Sequence, residues 1–295
     1  MESLSIPRGD EGPNDRLSPT RVRCMYVDLD GTLLGRRASL LHDGEGAVSL
    51  DGVRAVQACL RADVEIVLMS GRRRAQVHED ARLLGQDSFI FEAGACVVLG
   101  ADWQLGGEEH WLTGELVPGE LSIAEQIERS GAPELLLERY VGRLEYNEPW
   151  HVAREVSHPF RGLVDAEEVD ALLIEHGHGD LRFVDNGVVN RRSAALAELD
   201  HVRGYHLLPA GASKVAAVAL HRRVRGYARE ECFAVGDSRE DLACATQVRT
   251  FWLVANAVER DPSIREALAG HGNARVCEAG HGAGVYEAVV STLMG

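Results

Sequence analysis

The chain has 295 residues, of which 45% are apolar and 26% are charged, and its formal net charge at pH 7 is −15. This length and composition predict a folded protein with a substantial core and exclude disorder of the whole chain. The negative charge argues against nucleic acid as the main partner, because most of the surface would repel a polyanion. A small anionic substrate is still compatible, since a local pocket can be positive inside an acidic protein.

The first twenty residues and the cysteines indicate the compartment. Residues 1–20 lack the apolar segment of a secretory signal and are interpreted as a flexible tail. No stretch has the roughly 18 apolar residues of a membrane span, so no membrane partner is predicted. The six cysteines are scattered and form no CxxC pair, which predicts buried free thiols rather than a zinc site or a disulfide framework. These features favour the cytoplasm.

The first part of the chain alternates between strand and helix patterns. Residues 22–29, VRCMYVDL, form an apolar run that ends at acidic residues, which is typical of a buried parallel strand. A helix is predicted over 49–61, a second buried strand over 64–69, a helix over 73–84 and a strand pair over 88–99.

The middle of the chain has a different pattern. Amphipathic helices are predicted over 122–130 and 133–141, an extended segment over 144–156, and a helix over 165–175. The pair Asn186-Gly187 favours a hairpin or a tight turn.

Alternating helices and strands resume from residue 211. A helix is predicted over 214–221, a strand over 231–235, a helix from residue 240, and a strand in the run FWLVAN. The sequence therefore predicts a main α/β domain formed by residues 21–105 and 207–295, which is split by an α+β module at 106–206.

The motif Asp28-Leu29-Asp30-Gly31-Thr32 follows the first predicted strand. Residues two apart on a strand point to the same side, so the carboxylates of Asp28 and Asp30 are predicted to converge at the strand's carboxyl end. Such close like charges need a cation, and magnesium (Mg2+) prefers oxygen ligands. One carboxylate would attack phosphorus, and the other would protonate the leaving oxygen and later activate water. The alternative is an acidic turn without chemistry.

Polar motifs also follow the other predicted strands. The hydroxyl of Ser70 and the backbone amides that follow at Gly71 and Arg72 are candidate phosphoryl binders. Lys214 begins an apolar helix, where its charge would neutralise a phosphoryl group. The segment GDSRED, with Asp237 and Asp241, is a second acidic cluster that could hold the cation, although either motif alone has an ordinary structural explanation.

Taken in order, DLDGT, SGR, the lysine and GDSRED resemble the four-part pattern of the haloacid-dehalogenase superfamily. The resemblance implies a Rossmann-like, doubly wound parallel sheet with an inserted α+β cap domain. It implies Asp28 as nucleophile, Asp30 as general acid and base, and Ser70 and Lys214 as phosphoryl binders. The implied magnesium ligands are Asp28, the carbonyl of Asp30, and Asp237, while Asp241 would orient the lysine or a metal-bound water.

The position of the insertion, between the serine and lysine motifs, resembles the Cof-type branch with the second cap class. Asn256 in LVANAVE is similar to an asparagine of that branch and is expected near the site. Residues 153–160, AREVSHPF, resemble a segment of mannosyl-3-phosphoglycerate phosphatases, which makes Arg154 a candidate for binding a second anionic group. The expected phosphate and substrate binders are therefore Thr32, Ser70, Gly71, Arg72, Lys214, Asn256 and Arg154.

The chain departs from the branch at two positions; the first puts the substrate analogy in question, and the second keeps an oxygen-bearing group and so preserves the expected metal site. The chain has Glu92-Ala93-Gly94-Ala95 where the branch usually has ENGA, and Glu240 where it commonly has asparagine before the last aspartate. Further candidates in the insertion are arginines that could bind an anion, histidines whose spacing fits no zinc template, and tryptophans at a domain junction. These are Arg161, Arg182, Arg191, Arg192, His151, His158, His176, His178, His206, Trp103, Trp111 and Trp150.

These observations predict a magnesium-dependent phosphatase that hydrolyses a small phosphorylated metabolite, of sugar-phosphate or glycosyl-phosphoglycerate type, through an aspartyl-phosphate at Asp28. A phosphomutase of the same superfamily is one alternative, and a non-catalytic phosphometabolite-binding protein is another. The presence of both Asp28 and Asp30 argues against a pure binder, because a binder has little need for two crowded carboxylates. The sequence leaves open whether the protein is a monomer or a homodimer.

Overall fold

The computed structural model describes residues 21–102, 106–189 and 193–295. The predicted tail at 1–20, together with Trp103, Arg191 and Arg192, lies outside the described residues. The strands are β1 (Cys24–Asp28), β2 (Glu65–Met69), β3 (Phe89–Phe91), β4 (Cys96–Asp102), β5 (Gly106–Trp111), β6 (Leu144–Tyr146), β7 (His158–Gly162), β8 (Leu181–Val189), β9 (Val202–Pro209), β10 (Cys232–Gly236), β11 (Thr250–Leu253) and β12 (Ala274–Val276).

The helices of the described ranges cover both faces of one sheet and one face of another. They are α1 (Asp51–Arg61), α2 (Arg74–Leu83), α3 (Ile123–Ser130), α4 (Ala132–Arg139), α5 (Ala166–Glu175), α6 (Lys214–Arg225), α7 (Arg239–Leu242), α8 (Ala255–Arg260), α9 (Ile264–Leu268) and α10 (His281–Met294). Within the described residues, we find no helix with the length and apolar character needed to cross a membrane.

The larger sheet has the strand order β12-β11-β10-β1-β2-β3-β4-β5. The first six of these strands are parallel, and β4 and β5 extend the sheet in antiparallel pairing. Every residue of β1 is buried, because α1 and α10 pack on one face of the sheet and α6 packs on the other. The predicted doubly wound α/β fold is confirmed.

The smaller sheet has the order β6-β7-β9-β8 and is antiparallel throughout. Helices α3, α4 and α5 cover it and share a separate apolar cluster that includes Ile127, Leu136, Phe160 and Leu173. We call residues 112–209 the insert and the remainder the main module. Strand β5 pairs in the larger sheet and β9 ends at Pro209, so the sheets separate some residues after the predicted boundaries at 106 and 206.

Strand β8 differs from the sequence prediction at Asn186-Gly187. The predicted hairpin or tight turn is wrong, because β8 runs through this pair and stays bonded to β9 with a register shift between Asp185 and Val188. Gly187 has φ of +90°. A β-bulge uses this left-handed conformation as readily as a tight turn does, so a glycine at this position is compatible with either structure.

Candidate functional site

Four elements deliver polar side chains to one edge of the larger sheet. Strand β1 ends at Asp28, β2 is followed by Ser70, β10 is followed by Asp237, and Lys214 is the first residue of α6. Because β10, β1 and β2 are adjacent and parallel, their carboxyl ends meet at the same edge. The structure therefore brings the four sequence motifs together.

The centre of the site is Lys214. Its Nζ lies 2.7 Å from Oδ1 of Asp28 and 2.6 Å from Oδ1 of Asp241, and all three side chains are buried. The second oxygen of Asp241 accepts hydrogen bonds from the Ser238 hydroxyl and from the backbone amides of Asp237 and Ser238. Asp241 thus holds the lysine in place. Lys214 is also the only lysine of the chain, since the other residues among the 31 lysines and arginines are all arginines. This feature of the composition singles out Lys214 independently of the motifs.

The site carries more negative than positive charge. Burial tends to lower the pKa of Lys214, but Asp241 and Asp28 outweigh it and raise that pKa well above its ordinary value, so the lysine stays charged. Burial raises the pKa of Asp28 well above its usual range, with Asp241 and Asp237 adding to the effect and Lys214 opposing it. Burial also raises the pKa of Asp237 to about 6, although Arg260 opposes the rise.

A cation would relieve this excess charge. Carboxylate oxygens of Asp28, Asp237 and Asp241 lie within 4.8 Å of one another, and an all-oxygen set suits magnesium. Oγ1 of Thr32, in the loop after β1, is buried without a hydrogen-bond partner in the described part of the chain. The residues present therefore fit the predicted ion.

Asp30 takes a different position from the one predicted. Its carboxylate is 53% exposed and receives two hydrogen bonds of 2.6 Å each from the Arg72 guanidinium, which also bonds to Asp80. The carboxylates of Asp28 and Asp30 therefore do not converge here, because β1 ends at Asp28 and the strand alternation stops there. The guanidinium of Arg72 holds Asp30 in this structure, while its backbone amide donates to Ser70 Oγ at 3.2 Å.

Gly31 allows the loop after β1 to approach Asp237. It has φ of +89°, and a Cβ on this residue would lie 2.3 Å from Oδ2 of Asp237. Asn256 supports the same loop, since its Nδ2 donates to the Gly31 carbonyl at 2.9 Å and its Oδ1 accepts from the His281 amide at 2.8 Å. Asn256 was predicted to approach the substrate, but its amide contacts backbone, which makes it a positioning residue.

The insert places three polar side chains over Gly71. Nη1 of Arg154 donates to the Gly71 carbonyl at 2.6 Å. A Cβ on Gly71 would lie 3.1 Å from Nε2 of His206 and 3.9 Å from Nδ2 of Asn186. Burial, followed by the charges of Arg154 and Lys214, lowers the pKa of His206 to about 3, so this imidazole is neutral at pH 7. Arg154 was predicted as a binder, whereas Asn186 was missed because its pair with Gly187 suggested only a turn.

Glu92 forms a second contact between the insert and the main module. Its buried carboxylate accepts three hydrogen bonds, of 2.9, 3.0 and 2.6 Å, from the backbone amides of residues 155–157. The neighbouring Gly94 packs so closely on the first residues of α6 that a Cβ would lie 2.2 Å from the Ser213 carbonyl group. The segment Glu92-Ala93-Gly94-Ala95 thus contacts the insert through Glu92.

Arginine side chains complete the junction between the modules. Arg182 of β8 lies 3.0 Å from Glu240, and Arg203 of β9 lies 3.1 Å from Asp261. Within the main module, Arg260 lies 2.9 Å from Oδ2 of Asp237. Of these three arginines, only Arg182 was a candidate from the sequence. Arg203 and Arg260 were not candidates, because no local pattern indicates their ion pairs. A cavity of about 20 Å³, which holds about one water molecule, is left beside Asp237.

Three other candidates from the sequence make contacts away from Lys214. Arg161 pairs with Glu145 inside the insert, and His158 bonds to the carbonyl of Ala124. The Trp111 ring stacks edge-on against Phe91 at 5.9 Å between centroids. The contacts given for these three side chains do not involve Lys214, Asp28 or Asp241.

Comparisons with known proteins support the fold. No family model matches the chain. The phosphoglycolate phosphatase of Methanoculleus marisnigri is 24% identical over 277 residues, which cover 91% of this chain and 95% of that protein. The solved sucrose-phosphatase of Synechocystis, in complex with sucrose and phosphate, has a TM-score of 0.64 and 15% identity, and covers 92% of this chain and 98% of its own.

A haloacid dehalogenase-like hydrolase from Bacteroides thetaiotaomicron has a TM-score of 0.57 and 15% identity, and covers 92% of this chain and 99% of its own. The chain therefore has the fold of the haloacid dehalogenase-like hydrolases, and the resemblance predicted from the motifs is confirmed for the fold. Two of these proteins are phosphatases by name, in agreement with the predicted enzyme class. The similarity to mannosyl-3-phosphoglycerate phosphatases stays a prediction.

Proposed function

Starting from the fold of a haloacid dehalogenase-like hydrolase, we propose that this protein is a magnesium-dependent phosphatase that acts through an aspartyl-phosphate at Asp28. The observation that carries the proposal is the position of Lys214, whose ammonium group bridges Asp28 and Asp241 inside a buried carboxylate cluster. A buried lysine between two carboxylates can neutralise a phosphoryl group that enters beside them.

The first step forms a bond between a carboxylate oxygen of Asp28 and phosphorus. The bond between phosphorus and the leaving oxygen breaks, and Asp30 gives that oxygen a proton. Asp30 is assigned this role because its carboxylate is exposed and lies in the loop that follows Asp28; it must leave Arg72 and take up a proton from solvent before it donates one. Lys214 holds the nucleophile and offsets the charge of the phosphoryl oxygens.

The second step transfers the phosphoryl group to water. Asp30 accepts a proton from the attacking water, the bond between phosphorus and the Asp28 oxygen breaks, and inorganic phosphate leaves. Asp28, Asp237 and the Asp30 carbonyl would hold magnesium, with Asp241 orienting Lys214. When bound, the ion supplies positive charge for the carboxylates and polarises a phosphoryl oxygen.

We propose a small phosphorylated metabolite, of sugar-phosphate or glycosyl-phosphoglycerate type, as the substrate. The cavity beside Asp237 has a volume of about 20 Å³, and an open one of about 320 Å³ lies along the junction at Arg182 and Glu240. We propose that the insert separates from the main module to let the substrate reach Lys214. In this proposal the insert is a cap domain, and Arg154, Asn186 and His206 are the cap residues that face the bound substrate.

The test is phosphate release from p-nitrophenyl phosphate and from a panel of glycosyl-phosphoglycerates, hexose phosphates and phosphoglycolate, with magnesium and with chelator. We expect magnesium-dependent turnover that falls at least about 1,000-fold in Asp28→Asn. Asp63→Asn, at an exposed carboxylate far from the site, is the matched control and should retain activity. Turnover that survives in Asp28→Asn would refute the nucleophile assignment, and phosphoryl return to substrate without free phosphate would indicate a mutase.

A further inference from the structure

A second cluster of metal-ligating side chains lies at the opposite edge of the larger sheet. Sγ of Cys24 in β1, a carboxylate oxygen of Glu65 in β2 and a ring nitrogen of His221 in α6 lie within 4.8 Å of one another. Cys232 in β10 is the register partner of Cys24, so the two residues are neighbours on paired strands, and the Cys232 thiol donates to the Ala228 carbonyl at 3.5 Å. Cys24, Cys232 and His221 are buried, and Glu65 is partly buried.

His221 is oriented as a metal ligand would be. Its ring is fully buried, and Nδ1 lies 2.9 Å from the Tyr26 hydroxyl, which fixes the plane of the ring. Among the residues that the structure describes, Nε2 has no hydrogen-bond partner, and it lies 3.6 Å from Oε1 of Glu65, which is too far for an ordinary hydrogen bond. A metal-bound histidine usually has its other nitrogen held by such a second partner. A buried nitrogen without a partner is costly, and a bound cation would remove that cost.

We propose that Cys24, Cys232, His221 and Glu65 form a structural zinc site. Four ligands of the sulfur, nitrogen and oxygen type make a closed tetrahedral set, in which bonds of about 2.0–2.3 Å place neighbouring ligand atoms about 3.3–3.8 Å apart. The limit of 4.8 Å holds for atoms of Cys24, Glu65 and His221, so these three ligands need only a small contraction. Cys232 completes the set when its thiol turns away from the Ala228 carbonyl. The thiolate ligands favour a softer metal ion here than the all-carboxylate set around Lys214 does.

The charge around this cluster also suits zinc. Two thiolates and one carboxylate exceed the ion's charge by one, and the Arg225 guanidinium, 3.1 Å from Oε1 of Glu65, offsets that excess. The Tyr227 hydroxyl lies 2.7 Å from Oε2 and orients the carboxylate from outside. No zinc-binding motif is visible in the sequence, because each ligand comes from a different element and only the fold brings them together.

A bound zinc ion would cross-link the strands and the helix that position the proposed active-site residues. β1, β2, β10 and α6 hold the four ligands at this edge, and the same elements hold or precede Asp28, Ser70, Asp237 and Lys214 at the other. The inference does not rest on the proposed phosphatase function, since a closed site stabilises the fold whatever reaction occurs at the opposite edge.

The experiment uses the full chain, freed of metal with a chelator under reducing conditions and then titrated with cobalt(II) and zinc(II). We expect one equivalent of cobalt to give sulfur-to-cobalt charge-transfer absorption, which zinc then removes by displacement. The carboxylate centre contains no sulfur and cannot give this signal, so the two sites are distinguished. Cys24→Ser and His221→Gln should weaken zinc binding by more than the roughly 10- to 100-fold typical of losing an outer partner.

Cys59→Ser is the matched control, because Cys59 is a buried cysteine in α1 that packs near Met25 on the other face of the sheet. This variant should keep the full charge-transfer signal. Absence of that signal in the folded wild-type protein would overturn the proposal, as would a Cys24–Cys232 disulfide that persists under reducing conditions. The wild-type titration decides the question even if a ligand variant does not fold.

Discussion

Two groups of charged side chains in this molecule are held in opposite ways. At the centre of the main module, the side chains of Lys214, Asp28 and Asp241 are 2%, 7% and 0% exposed. At the junction with the insert, Arg182 and Glu240 are 28% and 12% exposed. Removing a buried partner leaves a charge that water cannot reach, whereas water replaces a lost partner at a partly exposed junction.

This difference separates what each group does. The buried cluster can hold charged groups in a fixed geometry, because water cannot reach its members to replace a lost contact. The junction can hold the insert against the main module and still release it, because each of its ion pairs contributes little. Substitutions in the two groups should therefore differ both in size and in the property that they change.

The largest effect is expected for Lys214→Met. Asp28 and Asp241 would lose their shared cation, and breaking a buried pair in this way costs about 3–5 kcal/mol of unfolding free energy. Urea denaturation at pH 7 measures the loss, and phosphatase activity should disappear with it. Asp28→Asn in the same background removes one unpaired charge and should recover part of the stability. A loss below about 1 kcal/mol would show that the cluster is open to water.

The single lysine of the chain provides a direct probe of the same centre. In protein labelled with ¹⁵N-lysine, one side-chain signal reports the protonation of Lys214. Because Asp241 and Asp28 outweigh the effect of burial and raise the pKa of this ammonium, the signal should remain that of the charged form beyond pH 10.5. In Asp28→Asn the transition should move to lower pH.

Glu92 lies at the junction but is buried, so it tests whether burial or location decides the size of an effect. Glu92→Gln removes the charge that three backbone amides of residues 155–157 share, and hydrogen bonds to a charged group are worth about 1.5–3 kcal/mol. We expect a loss of this size, measured by urea denaturation, together with faster proteolysis at the junction. Glu167→Gln, on the exposed face of α5, is the control and should have no measurable effect.

The lowered pKa of His206 should make the stability of the protein depend on pH in the acid range. Its pKa is lowered to about 3 by burial and by Arg154 and Lys214, while the unfolded chain has an ordinary histidine. The unfolded state therefore binds the additional proton, and stability is lost as pH falls below about 6.5, by up to about 1.4 kcal/mol for each pH unit. His206→Gln should reduce this slope between pH 6.5 and 5. The exposed His176→Gln should leave it unchanged, and equal slopes in all three proteins would contradict the prediction.

The sequence predicted the elements of the main module because an apolar run followed by a polar motif marks where a buried strand ends. Asp28, Ser70 and Asp237 were located in this way, whereas Lys214 was identified as the first residue of an apolar helix. The pairing of Asp30 with Arg72 was not predictable, because it depends on β1 ending at Asp28 and not two residues later.

Contacts across the junction could not be predicted from the sequence, for a different reason. Glu92 is 63 to 65 residues from the amides that it binds, and Arg182 is 58 residues from Glu240. No local pattern encodes such a pairing, since the orientation of the insert decides which surface residues meet. The cysteine and histidine cluster follows the same rule, as Cys24 and Cys232 become neighbours only when β1 pairs with β10.

The smallest effect is expected for the ion pair between Arg182 and Glu240. Glu240→Gln keeps an acceptor for the Lys214 amide, so it removes only the charge that faces Arg182. In a double-mutant cycle with Arg182→Gln, we expect a coupling energy of about 0.5–1 kcal/mol that decreases with added salt, because the pair is partly exposed. Neither variant should reproduce the loss seen in Lys214→Met. A coupling above about 3 kcal/mol would mean that water is excluded from the junction as fully as from the Lys214 cluster, and the contrast between the two groups would then fail.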